Sequence, residues 1–211
     1  MPLLSEENHK LIRGAIKSVF ERCVEIPGGL LTEGDLQCLL FRQLSSIAAF
    51  STPIASHDAH ILATPTHAEV SWFDTNKKLT IKPDITILDP QQLSLLYKIG
   101  SVKAPPSKQF HFTGKAFIFE LKFIRGPKGI QKTELARIKK DFKKIQDLFS
   151  KLKADGDEGH VFCYFVIFSR YSTACEEWNQ FYKLHCNDAH LTFIYESLDV
   201  PIPEYRPLRV I

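Results

Sequence analysis

The chain has no apolar run approaching the ~18 residues needed to cross a bilayer. Its first 25 residues also lack the basic, then apolar, then small-residue order of a secretion signal. A cytoplasmic protein with no membrane partner is the expectation. Cysteine is scarce: Cys23, Cys38, Cys163, Cys175 and Cys186 are scattered, odd in number and without a Cys-x-x-Cys pair. Neither a disulfide framework nor a zinc knuckle fits that pattern, so the thiols read as reduced and mostly buried. There is no internal repeat, no low-complexity tract and little excess charge. The 27 Lys and Arg against 24 Asp and Glu leave +3, too little alone to announce nucleic acid as a partner.

What is there is an ordinary globular composition, 44% hydrophobic and 24% charged over 211 residues. It fits one domain spanning 1–211, with a helical N-terminal segment over 1–30. The charge is unevenly placed. From Lys122 to Lys153 there are 11 Lys or Arg against Glu134, Asp141 and Asp147, a local +8 that leaves −5 for the remainder. That asymmetry gives the protein a basic side.

Apolar residues at Leu11, Ile12, Ala15, Ile16, Val19 and Phe20 recur near a period of 3.6 and predict a first helix from Glu6 to Cys23, stopped by Pro27-Gly28-Gly29. Thr32 and Asp35 provide capping chemistry for a second helix reaching Ala49. Strands are predicted over His67–Phe73, Leu79–Asp89 and Lys115–Phe123, the first two joined as a hairpin through Asp74-Thr75-Asn76. Residues 90–114, with Pro105-Pro106 and several Lys, read as a surface insertion. A long amphipathic helix is expected over Lys132–Lys153, with Leu135, Ile138, Phe142, Ile145, Phe149 and Leu152 buried. The continuous apolar run Val161–Phe168 predicts a central strand covered on both faces. A helix over Thr173–His185, a strand over Leu191–Tyr195 and an extended tail over Pro201–Ile211 complete an α/β order, ααβββαβαβ.

The chemistry is concentrated in two of these strands. In Lys115–Lys122, period-two alternation puts Glu120 and Lys122 on one face and Phe119, Leu121 and Phe123 on the other. Asp84 stands alone as an acid beside Ile85-Thr86-Ile87-Leu88. Charges are costly in such strands unless they pair with one another or hold a metal. Two carboxylates from adjacent strands can bind a hard divalent cation, and a lysine beside them can act on an attacking water or on a phosphate.

Pro83-Asp84 followed by Glu120-Leu121-Lys122 resembles the signature of the PD-(D/E)XK nucleases, and the likeness covers about 32–168. The resemblance implies a restriction-endonuclease-like fold, a mixed central sheet flanked by helices. It also implies Mg²⁺ as cofactor, with Mn²⁺ able to substitute. Asp84, Glu120 and the backbone carbonyl of Leu121 would be the metal ligands, and Lys122 the catalytic lysine. Glu33 would be the helical glutamate. Glu69, in His67-Ala68-Glu69, would be a second candidate acid, and Gln131 or Lys132 the polar residue on the following helix. The implied activity is phosphodiester hydrolysis by an endonuclease, with DNA favoured over RNA and a homodimer suited to cutting both strands of a duplex. Lys82, Lys128 and Lys132 are the expected nucleic-acid contacts. The 35 residues between Asp84 and Glu120 exceed the usual family spacing, and the 90–114 insertion accounts for the excess.

Simpler roles stand beside these. The simpler reading of Glu120 and Lys122 is an ion pair on an edge strand, that of Asp84 a strand-end acid, and that of Glu33 a first-turn acid favoured by the helix dipole. The lysines of the long helix read as its solvated face. A nucleic-acid-binding subunit that kept the fold without turnover is the alternative function. His57, His60 and His67 match no specific metal spacing, and Cys175 or Cys186 beside His185 is no evidence of thiol catalysis.

Overall fold

The computed structural model describes residues 2–57, 62–73, 79–94, 111–112, 114–157, 159–186 and 189–199. Helix α1 (Glu6–Glu25) starts where the Ser5 hydroxyl accepts the Asn8 N–H. Helix α2 (Glu33–Ser45) opens on a capping box, with Thr32 Oγ1 accepting the Asp35 N–H at 3.1 Å and Asp35 Oδ2 accepting the Thr32 N–H at 2.8 Å. It ends earlier than the spacing predicts. Ile47 turns extended, so the last turn becomes a separate α3 (Ala48–Ser51).

The strands are β1 (Ile54–Ala55), β2 (Leu62–Ala63), β3 (Thr66–Ala68), β4 (Trp72–Phe73), β5 (Leu79–Ile81), β6 (Ile85–Leu88), β7 (Leu93–Ser94), β8 (His111–Phe112) and β9 (Ala116–Ile124). Then come α4 (Lys132–Ala154), β10 (Val161–Ser169), α5 (Glu176–His185) and β11 (Leu191–Ser197). Five strands form one mixed sheet in the order β11-β10-β9-β6-β3. Strands β9, β10 and β11 are parallel, while β6 runs antiparallel to β9 and β3 antiparallel to β6.

Alternation along β9 assigns the two faces. Phe117, Phe119, Leu121 and Phe123 pack with Ile12, Ile16, Leu36 and Leu40 of α1 and α2. On the other face Ile118 joins Cys163, Phe165 and Ile167 of β10 under Ile138, Phe142 and Ile145 of α4. The fold is thus mixed α/β, a sheet between two helical layers. No helix among the described residues is long and apolar enough to cross a membrane.

Several expectations need correction. The hairpin over 67–89 is split: β3 pairs with β6 in the main sheet, whereas β4 pairs with β5 in a separate ribbon. The break falls where Glu69 adopts φ +54° and where Pro83 supplies no N–H for a ladder. The middle strand is β9; Val161–Ser169 lies beside it, buried on both faces as its composition requires. The 90–114 segment is anchored at both ends, since β7 pairs with β8 and Leu93 is buried against Leu88 and Ala116. The 74–76 turn, 95–110 and the 201–211 tail lie outside the described residues.

Candidate active site

The site forms where β6 stops pairing with β9. Their ladder ends at Ile85 opposite Phe119, and one further bond runs from the Asp84 N–H to the Phe119 carbonyl at 3.0 Å. Beyond it the chain leaves through Pro83, and the Asp84 side chain replaces the missing rung: Oδ2 accepts the Leu121 N–H at 2.7 Å. Glu33 Oε2 takes the Phe123 N–H at 3.4 Å. The Asp84 carbonyl is itself held by Gln37 Nε2 at 2.7 Å and by the Glu69 N–H at 3.0 Å. In an extended strand the N–H and C=O of one residue leave on the same side. The Leu121 carbonyl therefore faces the side from which Asp84 approaches.

Glu120 and Lys122 project toward α4. The Lys122 ammonium lies 2.9 Å from Glu120 Oε1, 3.2 Å from Asp141 Oδ2 and 3.4 Å from Glu33 Oε1. Asp141, from α4, also meets Lys144 Nζ at 2.5 Å. The side chains of Lys122, Glu120 and Asp141 are only 12%, 13% and 16% exposed. That burial and the middle position of β9 exclude the edge-strand surface pair.

Four carboxylates, Asp84, Glu120, Glu33 and Asp141, thus gather around Lys122 and Lys144, an excess of two negative charges. Burial pushes Glu120 up to about 7, against the pull of Lys122 and with help from Asp84. Burial also raises Asp84, opposed by the Leu121 N–H and the Lys122 charge. For Lys122 burial favours the neutral amine, but Glu120 and Glu33 outweigh it and hold the ammonium firmly charged. Asp141 is raised by burial yet ends below its usual value, because Lys144 and Lys122 bond its charged form.

The Glu120 shift has a measurable consequence in metal-free protein. A carboxyl whose folded value lies above its ordinary 4.5 contributes stability that is complete below that pH and is lost as pH rises through about 7. The shift corresponds to about 3 kcal/mol. Glu120→Gln is expected to remove this part of the decline. Urea unfolding at pH 5 and pH 8 checks it: the difference between the two pH values should narrow in the variant, and an unchanged difference would contradict the Glu120 shift.

No protein family, curated protein or solved structure matches the chain. Among the described residues no group of three or more His, Cys, Asp or Glu side chains is arranged to hold a metal ion. Lys122 stands among the acids instead. Asp84 and Glu120 are the two carboxylates that could hold a hard cation, one that keeps most of its water.

The structure sorts the sequence candidates. Asp84, Glu120, Lys122 and Glu33 come together. Glu69 does not join them: its carboxylate pairs with Lys82 at 2.6 Å, both exposed, and it touches the site only through its N–H to Asp84. Lys132 is exposed and paired with Glu177 at 2.7 Å. Gln131 precedes α4 and its side-chain amide donates to the carbonyl of the exposed Lys128. His57 is exposed, His67 is part-buried and His60 lies outside the described residues. Cys175 and Cys186 cap opposite ends of the ten-residue α5, so they share no site.

Gln37 and Asp141 were not legible as site residues. Gln37 follows Leu36 of the buried stripe of α2 by one position. Asp141 sits between Ile138 and Phe142 in the buried stripe of α4, and an acid at that border was the available signal.

Proposed function

We propose that the chain is a metal-dependent endonuclease of the PD-(D/E)XK type, with DNA favoured over RNA as substrate. The observation that carries this reading is the buried cluster itself: an excess of carboxylates around one lysine, on the strand pair that bears Asp84 and Glu120-Leu121-Lys122. Burial without a compensating cation is costly for such a set. The order helix, three strands, helix, strand, from α2 through β3, β6, β9, α4 and β10, supports the restriction-endonuclease-like fold.

Asp84 and Glu120, with the Leu121 carbonyl, would hold Mg²⁺ or Mn²⁺. Such an ion, when bound, lowers the pKa of bound water and polarises a phosphoryl oxygen. The chain's own groups do the rest. The Leu121 N–H and Gln37 fix Asp84. Glu120 would give its carboxylate to such an ion, and the Lys122 ammonium beside it would face a phosphate and stabilise developing negative charge. Asp141 and Glu33 keep that ammonium in place. Exposed lysines along α4, such as Lys140 and Lys143, supply attraction for a polyanion. Cutting both strands of a duplex would take two copies of the chain.

Nicking of supercoiled plasmid tests the reading. Cleavage is expected with Mg²⁺ or Mn²⁺ and not with EDTA. Salt-sensitive DNA binding without cleavage under any divalent cation would favour the silent binding subunit instead. Asp141→Asn is expected to lower turnover about tenfold with little change in KM, the size typical of a partner that orients an active group. Asp141→Glu should recover part of it. A change in KM alone would assign Asp141 to substrate binding.

A further inference from the structure

A phosphodiester approaching the cluster meets an excess of negative charge, so cations not already committed to those acids must receive its backbone. Without a bound cation Lys122 and Lys144 both pair with carboxylates, and Lys82 pairs with Glu69 and Lys132 with Glu177, so beyond the phosphate that Lys122 faces these lysines leave the neighbouring backbone to other groups. Two arginines beside the site are differently placed. Arg125 follows the last residue of β9 and Arg170 the last residue of β10. The Arg170 N–H donates to the Ile124 carbonyl at 2.8 Å, which sets the two residues side by side at the carboxyl ends of adjacent parallel strands. In open α/β sheets this is the end at which ligands bind.

Both guanidinium groups reach the short segment that leads into α2. Arg170 Nη2 donates to the Leu30 carbonyl at 3.2 Å, and Arg125 Nη1 donates to the Leu31 carbonyl at 3.5 Å. That segment continues through Thr32 to Glu33, one of the acids on Lys122. The Arg170 guanidinium also lies over the Phe123 ring, 5.8 Å from its centre. Neither arginine is ion-paired among the described residues. Each carries five N–H donors, of which one is used on a carbonyl.

We propose that Arg125 and Arg170 form a phosphate-binding rim, taking a backbone phosphate of the nucleic-acid strand next to the one presented to Asp84, Glu120 and Lys122. This rests on the nuclease reading and adds to it where the strand lies. A guanidinium held by one edge keeps its fork free for two parallel bonds to phosphate oxygens, which an ammonium cannot make. The contact selects for charge and spacing along the strand, not for base sequence.

The test is binding of a fluorescently labelled DNA oligonucleotide to the full chain in EDTA, by anisotropy over a NaCl series. Arg125→Gln and Arg170→Gln should each weaken binding, on the order of tenfold at low salt, and lower the slope of log affinity against log salt by about one. Arg125→Lys and Arg170→Lys should restore the slope, although not all of the affinity. An unchanged slope in both Gln variants, including weaker binding at constant slope, would overturn the inference and make the arginines anchors of the 30–31 segment only. Absence of wild-type binding would overturn it too. Cleavage is scored separately: intact metal-dependent nicking with unchanged Gln-variant binding sinks the rim alone. Slope loss in a wild-type-inactive protein sinks the nuclease reading alone.

Discussion

Asp84→Asn is expected to abolish metal-dependent cleavage, with a loss on the order of 10³-fold or more, while leaving the protein folded. The amide keeps the shape of the carboxyl, and its oxygen can still accept the Leu121 N–H that Asp84 takes at 2.7 Å. What it loses is the charge. Burial holds Asp84 above its ordinary value, so its contribution to stability is complete at low pH and falls as pH rises through the shifted value. At pH 8 the neutral asparagine should therefore be no less stable than the native acid. Thermal melting and plasmid nicking on the same preparation separate the two roles of Asp84. An Asn variant that melts lower but cuts normally would return Asp84 to a strand-end acid that only closes the ladder.

Lys122→Met is expected to remove cleavage and, unlike the Asp84 change, to cost stability. Its ammonium is the common partner of Glu120, Asp141 and Glu33. Removing one side of a buried ionic cluster leaves the other uncompensated, at about 3–5 kcal/mol. The penalty should be largest at pH 8 and smaller at pH 5, where Glu120 can take up a proton. Adding Glu120→Gln to Lys122→Met should recover part of the loss at pH 8. Urea unfolding of the single and double variants at both pH values measures this. A penalty under about 1 kcal/mol at pH 8, the size of an exposed pair, would contradict the burial of the cluster.

The part of this site written in short stretches of chain was legible there. Period-two alternation put Glu120 and Lys122 on one face of a strand too apolar for free charge, and the Thr32–Asp35 cap fixed the start of α2 and so the position of Glu33. The sheet's composition likewise announced β9 and β10. What could not be read were contacts closed over long separations by tertiary packing. Asp141 meets Lys122 only because α4 crosses that face of β9, and Gln37 meets Asp84 only because α2 covers the other. Glu69 entered through the likeness of His67-Ala68-Glu69 to a family motif; the chain is left-handed at that residue, the strand ends at Ala68, and the carboxylate pairs with Lys82. The pairing of Arg125 with Arg170 depends on the parallel register of β9 and β10, which no single strand contains.

The proposed hydrolysis requires Asp84 and Glu120 to form a divalent-cation site beside Lys122. Diffraction from crystals soaked in Mn²⁺, recorded at a wavelength where manganese scatters anomalously, tests it most directly. The expected result is an anomalous peak bonded to the Asp84 and Glu120 carboxylates, with the Lys122 ammonium withdrawn from Glu120 and retained by Asp141 and Glu33. A Lys122–Glu120 pair undisturbed at saturating Mn²⁺, with no peak between the two acids, would contradict it.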